Sequence, residues 1–354
     1  MLAASLLASL ALAQTATPAG AVPHANLQAP TWSPDGQNLS VEANFHEEKR
    51  IELLVGPPGA LAPVSMPTRG SAALDGFDTR GGSAGRVMHE LEWAPQGGGV
   101  FVYGASTAAL DYDLYVSEGA PLAPHPGADG GPAWSPDGHW LVFTSARTGQ
   151  GDLYLLDVQA LEKPPRRVSK DDTHAELFPA WSPDSQQLVY VGHADEGDAL
   201  WLVSLRNGVP QQLTNWPGEQ LRPSFSPNGA LVAFYANRDK GDRFDLYVIE
   251  PRIGAQPRKL LEGTVPNVHG PTWTANGQHL IVVTDDDDAY DPIVAVAVTG
   301  GPPTLLPLGT VGHGDIDLGM HQGVPTLAYV AQGLASDPTR DFKRLFVAPL
   351  PPLP

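Results

Sequence analysis

The chain has 354 residues, a formal net charge of −18 and no cysteine, and both Gly (38) and Pro (36) are abundant. The acidic balance excludes nucleic acid and anionic lipid as favoured partners, because their phosphate groups would be repelled. The lack of cysteine excludes disulfides, thiolate metal sites and a cysteine nucleophile. Hydrophobic residues make up 42% of the chain, and the Gly and Pro follow no collagen-like period, so the composition predicts a large core with very many turns.

The first predicted element is an apolar leader. Residues 1–13 form a short apolar stretch that ends in Ala11-Leu12-Ala13, a small-residue pattern typical of signal-peptide cleavage sites. The stretch is too short for a permanent membrane span. We therefore predict a cleaved signal peptide, a periplasmic mature protein and no membrane insertion after cleavage. The alternative is a buried apolar N-terminal helix.

Six copies of one short pattern follow along the chain. Each has an aromatic residue, a small residue, Pro or Ala, and in most copies Asp or Asn followed by Gly. The aromatic positions are Trp32, Trp93, Trp134, Trp181, Phe225 and Trp273. They are 61, 41, 47, 44 and 48 residues apart, and apart from the first gap this is the length of one four-stranded propeller blade. Apolar runs and polar turns between the copies predict four strands per repeat.

The repeated residues have structural roles in this interpretation. The aromatic side chain offers a flat apolar surface between neighbouring blades, while Pro followed by Asp-Gly or Asn-Gly makes a tight turn. We therefore assign the six aromatic residues to the framework and not to ligand binding. The same assignment covers the turn residues Asp35, Asp137 and Asp184.

The longer first interval is explained by an inserted loop at 67–90. Long insertions often carry binding function, and an ordinary surface insertion is the alternative. Its candidate binding residues are Phe77, Asp78, Arg80 and Arg86. The same loop holds Gly81-Gly82-Ser83-Ala84-Gly85, which has the letters of a nucleophile elbow but lacks the flanking strand and helix that the elbow needs. We predict no catalysis by Ser83.

Two groups of residues are candidate metal ligands. The run Asp285, Asp286, Asp287 and Asp288 could hold Ca²⁺, but it lacks the alternating spacing of a calcium loop, and a solvated hairpin tip is the favoured interpretation. The side chains of His269, His313, His321 and Gln322 could also converge on a divalent metal from separate blades, but they lack tight ligand spacing. We therefore predict no cofactor, with Ca²⁺ or another divalent metal as the alternative.

A degenerate seventh unit completes the repeat. Residues 315–318 replace the aromatic strand, and the chain ends in a Pro-rich tail at 349–354 with no fourth strand. We expect the N-terminal segment 14–27, around His24–Gln28, to supply that strand and close the ring, which removes a free sheet edge. The predicted fold is one all-β propeller domain at 28–348 with seven blades, and six is the alternative.

The Trp-Ser-Pro-Asp-Gly turn, followed by an apolar strand and Asp-Leu-Tyr, resembles the TolB-like β-propeller repeat. The resemblance covers nearly all of residues 28–348. This repeat occurs in TolB of the Tol–Pal envelope system, in propeller domains of prolyl oligopeptidase-type peptidases and in some polysaccharide lyases. It is specific for fold and weakly specific for function. We expect neither the additional α/β domain of TolB nor the peptidase domain in this chain.

The resemblance implies a non-catalytic scaffold in a cell-envelope complex. The partners expected are envelope proteins or a peptide segment, with the chain itself monomeric inside a hetero-complex. Two alternatives remain open from the sequence: a metal-dependent polysaccharide lyase or hydrolase that uses the channel, and a sensor that binds a glycan or small molecule.

Overall fold

The computed structural model describes residues 16–65, 87–108, 111–117, 121–168, 174–194, 197–238, 241, 243–285, 291–334 and 342–354. Across these ranges the chain forms β-strands and no α-helix, so the all-β prediction is confirmed. Two single-turn 3-10 helices occur, at His46–Glu48 and Ala146–Thr148. In the described part of the chain no helix has the length and apolarity needed to cross a bilayer.

The strands of the first half form consecutive units of four. Unit one has β2 (Asn26–Trp32), β3 (Leu39–Phe45), β4 (Arg50–Gly56) and β5 (Ala62–Pro63), preceded by β1 (Thr17–Gly20). Unit two has β6 (Val87–Trp93), β7 (Phe101–Ala108), β8 (Asp111–Val116) and β9 (Pro121–Leu122). Unit three has β10 (Asp129–Trp134), β11 (Trp140–Ser145), β12 (Asp152–Asp157) and β13 (Arg166–Arg167). Unit four has β14 (Ala175–Trp181), β15 (Gln187–Ala194), β16 (Gly197–Ser204) and β17 (Pro210–Gln212).

The second half continues in the same way. Unit five has β18 (Gln220–Phe225), β19 (Val232–Ala236), β20 (Phe244–Ile249) and β21 (Arg258–Val265). Unit six has β22 (Thr272–Trp273), β23 (His279–Thr284), β24 (Ile293–Ala297) and β25 (Thr304–Leu305). Unit seven has β26 (Thr310–His321), β27 (Val324–Leu334) and β28 (Arg344–Pro349). Pairing of β4 with β6 and of β21 with β23 joins two pairs of units into eight-stranded sheets, so the number of independent blades stays a prediction.

The fourth strand of unit seven comes from the N-terminus. Strand β1 pairs antiparallel with β28, with Thr17 opposite Val347. The expectation that His24–Gln28 forms this strand is wrong, because most of that segment lies in or next to β2, the innermost strand of unit one. Leu27 is fully buried there, whereas an edge strand such as β1 needs only one apolar face.

The hydrophobic core lies between successive units. One cluster joins Val189 and Leu200 of unit four to Phe234 of unit five. Another joins Leu27 of unit one to Val330 of unit seven, so the last sheet packs on the first. The innermost strands of neighbouring units contact each other, including β26 with β2. This face-to-face packing arranges the innermost strands around a common axis.

In some units the indole of the repeat aromatic bonds the innermost strand to the preceding one. Trp181 Nε1 donates to the carbonyl oxygen of Ala133 at 3.0 Å, and Trp93 Nε1 donates to that of Thr31 at 3.4 Å. In both cases the acceptor carbonyl belongs to the preceding unit, where its residue comes immediately before the repeat aromatic. The repeat turn is held from within, since Ser33 Oγ donates to Asp35 Oδ1 at 2.6 Å.

Candidate functional site

The innermost strands of units one to five share one local distortion. Each carries a β-bulge ahead of the repeat aromatic. The residue three positions before that aromatic has a positive φ. These residues are Ala29 (+51°), Glu90 (+56°), Gly131 (+57°), Phe178 (+54°) and Arg222 (+53°), and we call them the bulge ring. Bulges change the direction of the side chain and the backbone amide.

A cavity of about 630 Å³ lies between these strands, which we call the axial cavity. The whole bulge ring lines it. A second set comes from the residue immediately before the repeat aromatic, which we call the pre-aromatic position. The lining pre-aromatic residues are Glu92, Ala133, Ala180 and Ser224. Glu42, Tyr112 and His269 also contribute, and the volume lies in the range of small-ligand sites.

Several carboxylates near the axis satisfy amides of a neighbouring unit. Asp315 Oδ2 accepts a hydrogen bond from Ala29 N at 3.0 Å. Glu42 Oε1 accepts from Glu90 N at 2.9 Å, and Glu90 Oε2 accepts from Gly131 N at 2.5 Å. These acids therefore pair bulge amides that the strand ladder leaves without partners.

Asp317 has a comparable role at the closure between units seven and one. Its Oδ2 accepts from Trp32 N at 2.7 Å. Burial raises the pKa of Asp317, while the Trp32 amide and nearby His269 oppose that rise. His269 is itself held by Thr31, with 3.0 Å between Nε2 and Oγ1.

Glu92 differs from these acids. Its carboxylate makes no hydrogen bond or ion pair with any residue in the described ranges. Burial, together with the charges of Asp317 and Glu90, raises the pKa of Glu92 to about 8. At neutral pH this carboxyl is therefore mostly protonated, which makes it a hydrogen-bond donor and acceptor inside the cavity.

Arg222 supplies a cation to the same cavity. Its Cζ lies 4.1 Å from the centroid of the Phe178 ring, a cation–π geometry. Burial lowers the pKa of Arg222, and the charges of Glu90, Asp315 and Glu42 oppose that lowering. Within the described part of the chain the guanidinium makes no ion pair or hydrogen bond, so its donors are available to a ligand.

Most of the predicted loop and acidic-run residues lie outside the described residues. This holds for the leader at 1–13, for Ser83 and for three of the four residues of the aspartate run. It holds as well for the candidate binding residues Phe77, Asp78, Arg80 and Arg86. The remaining aspartate, Asp285, is 43% exposed in its side chain and lies 3.3 Å from Arg243 Nε. The loop site and the calcium site stay predictions.

The structure does not bring the candidate channel histidines together. Only His269 lines the axial cavity. His313 is buried beside Thr310, 2.7 Å from its Oγ1, and His321 stacks on Trp32 with 5.1 Å between ring centroids. Gln322 lies in the turn between β26 and β27. Among the described residues there is no group of three His, Cys, Asp or Glu side chains arranged to hold a metal.

Apart from His269, the polar and aromatic cavity residues discussed above were missed by the sequence analysis, although their positions follow a simple rule. Glu92 occupies the pre-aromatic position, and Glu90, Phe178 and Arg222 lie three residues before an aromatic of the repeat. Aligning the repeats and comparing these two positions would have selected the cavity residues. Both positions hold charged or aromatic residues in some units and small residues in others.

Comparison with known proteins agrees with this architecture. A family model described as the TolB β-propeller domain matches residues 165–306. A "Protein TolB homolog" of Chlorobium chlorochromatii is 30% identical over 107 residues, covering 30% of this chain and 23% of that protein. An uncharacterized protein of Agrobacterium fabrum is 27% identical over 160 residues, covering 37% of this chain and 55% of that protein. The chain thus spans about half or less of these relatives.

A solved structure shows the same fold. It is a puromycin-hydrolyzing peptidase of Mycobacterium tuberculosis, with a TM-score of 0.64 and 14% sequence identity. The alignment covers 90% of this chain and 53% of the peptidase chain. Identity at this level supports the shared fold alone.

Proposed function

Because the chain belongs to the TolB-like β-propeller repeat family, we propose that it is a non-catalytic periplasmic propeller that binds a protein partner of the cell envelope. The partner contributes an exposed segment, and the axial cavity receives it. The apolar leader at 1–13 supports export, and the acidic balance of the chain supports a protein partner over nucleic acid.

The observation that carries this proposal is the construction of the axial cavity. Carboxylates near the axis pair the bulge amides, which fixes the cavity walls. Phe178 and Arg222 then remain on those walls as an aromatic surface and a cation whose N–H donors bond no described residue. Rigid aromatic and Arg side chains in a desolvated pocket are typical of binding hot spots.

The test compares two cavity variants with a surface control. Phe178→Ala and Arg222→Gln change the cavity, while Ile253→Ser changes a side chain that is 62% exposed on the connection between β20 and β21. Each tagged protein is used to capture partners from solubilised envelopes, and the captured partner is then purified and its affinity measured. Thermal melts confirm that each variant folds.

We expect wild type and Ile253→Ser to bind the purified partner equally. Each cavity variant should lose about tenfold or more in affinity, which is the loss typical of a hot-spot residue. Equal binding by all four proteins would place the interface elsewhere. The absence of any stable partner for the wild type would contradict the proposal.

A further inference from the structure

The pre-aromatic position distributes charge unevenly around the axis. Units three, four and five carry the small neutral residues Ala133, Ala180 and Ser224 there, and all three line the cavity. Unit two carries Glu92 there, and its charge interacts with that of Asp317 in β26 of unit seven. The small residues leave space at this level of the cavity, and the titratable side chain that lines the cavity there is the acid Glu92.

The two acids differ in what they bind within the protein. Asp317 accepts a hydrogen bond from the Trp32 amide, so one of its carboxylate oxygens already bonds the backbone of β2. Glu92 accepts none from the described residues, although it lies in the cavity wall. When an acidic side chain lines a cavity and makes no hydrogen bond within the protein, its oxygens are available to bind a ligand.

The cavity already accommodates one cation of the protein. The guanidinium of Arg222 lies over the Phe178 ring, and its charge is stabilised by the charges of Glu90, Asp315 and Glu42. Those acids are the ones that influence Arg222 most, and Glu92 is not among them. The acid at the pre-aromatic level therefore lacks a cation of its own.

We propose that the axial cavity selects a primary ammonium or guanidinium group, presented by a lysine or arginine of the partner segment, and that Glu92 is its carboxylate partner. This inference rests on the proposed function and assigns the chemistry of its ligand. The bound cation donates hydrogen bonds to Glu92, with Asp317 as the second negative charge. Charge-assisted bonds of this kind are about twice as strong as neutral ones.

Binding of a cation also moves a proton. The free carboxyl of Glu92 is held neutral by burial and by neighbouring acids, and an adjacent cation favours its ionised form. The ligand therefore displaces one proton from Glu92 to solvent. The other titratable or charged groups around the cavity are Asp317, Glu90, Glu42, Asp315, His269, Tyr112 and Arg222.

The experiment uses four N-acetylated, C-amidated pentapeptides, Ala-Ala-X-Ala-Ala, with X as Lys, Arg, Gln or Glu. Calorimetric titration at pH 7 in two buffers of different ionisation enthalpy gives the affinity and the number of protons released. Glu92→Gln is the test variant, because it keeps the shape of the side chain and removes its charge. Glu250→Gln is the matched control, since Glu250 is a surface acid paired with Arg252.

We expect the Lys or Arg peptide to bind the wild type about tenfold more tightly than the Gln or Glu peptide, which corresponds to one charged contact. About one proton should be released, because a group with a pKa of about 8 is mostly protonated at pH 7. Glu92→Gln should lose both the preference and the proton release, while Glu250→Gln keeps both.

Three outcomes overturn the inference. The first is equal binding of all four peptides. The cavity would then still bind peptides, but it would have no preference for a cationic side chain. The second is binding of Lys and Arg peptides that is unchanged in Glu92→Gln. The third is binding by none of the peptides while the purified envelope partner still depends on Phe178 and Arg222, in which case the proposed function survives and its cationic ligand does not.

Discussion

The indole Nε1 of Trp181 donates a 3.0 Å hydrogen bond to the carbonyl oxygen of Ala133, one unit back along the chain. The indole of Trp134, at the equivalent place in unit three, finds no hydrogen-bond partner for its buried Nε1 among the described residues. Two tryptophans at the same repeat position thus differ in one bond, and this difference can be measured.

Trp181→Phe should destabilise the protein by about 1–2 kcal/mol more than Trp134→Phe. The first substitution leaves a carbonyl without its donor, and a buried unpaired acceptor costs about this much. The second removes an N–H that was already unpaired. Urea unfolding of both variants measures the difference, and equal losses of unfolding free energy would show that the Trp181 bond contributes nothing net.

Gly36→Ala should be more destabilising than Gly97→Ala by roughly 2 kcal/mol. Both glycines have a positive φ, +65° and +74°, in the repeat turns of units one and two. A Cβ at Gly36 would collide with the carbonyl of Met320, whereas a Cβ at Gly97 meets nothing within 4 Å. Both variants therefore carry backbone strain, and only the first disturbs the closure with unit seven. Equal midpoints in urea would contradict this.

Ala19→Asp should lower the unfolding free energy by about 3 kcal/mol, because it buries an unpaired charge. Ala19 in β1 is 2% exposed and packs between units seven and one. Thr17→Asp is the control, since Thr17 lies in the same strand with an exposed side chain. If thermal melting shows equal effects, β1 is not docked as described.

Glu92→Gln should change the pH dependence of stability. The pKa of Glu92 is raised to about 8, so between about pH 4.5 and 8 the folded state holds a proton that the unfolded state has lost. Wild-type stability therefore falls as pH rises through that window, and the Gln variant lacks this fall. The melting temperature of the variant minus that of wild type should grow from pH 5 to pH 9, by roughly 2 °C or more.

The control for that series is Glu250→Gln, whose difference from wild type should stay flat over the same pH range. A flat difference for Glu92→Gln as well would mean that its carboxyl titrates as in water. The site would then be hydrated and a poor match for the ligand that we infer.

The spacing of the repeat was enough to predict the fold. Turn residues and apolar runs recur at blade length, and the strands lie where these patterns place them, for example Leu188–Tyr190 within β15. The closing strand was misplaced because the apolar residues around Leu27 fit two roles, and only packing against Val330 decides for the innermost strand. Short-range patterns do not report such long-range competition.

The axial cavity was not predicted, for a different reason. Strand alternation assigns residues to one of two faces, but a bulge adds a residue and changes the phase. Arg222 lies within such a bulge and Glu92 directly after one, and both line the cavity, so a simple alternating pattern does not place them there. The recurrence of positive φ at Ala29, Glu90 and Phe178 is visible only in the folded chain.

The pairing of Thr17 with Val347 sets an order of events during synthesis. Strand β1 is synthesised before units one to six, and its partner β28 is synthesised after them. Unit seven therefore stays incomplete until β28 has been made, and Trp32 meets its Asp317 acceptor only once β26 has been made. A variant that lacks either β1 or β28 should therefore have the same unfinished unit seven.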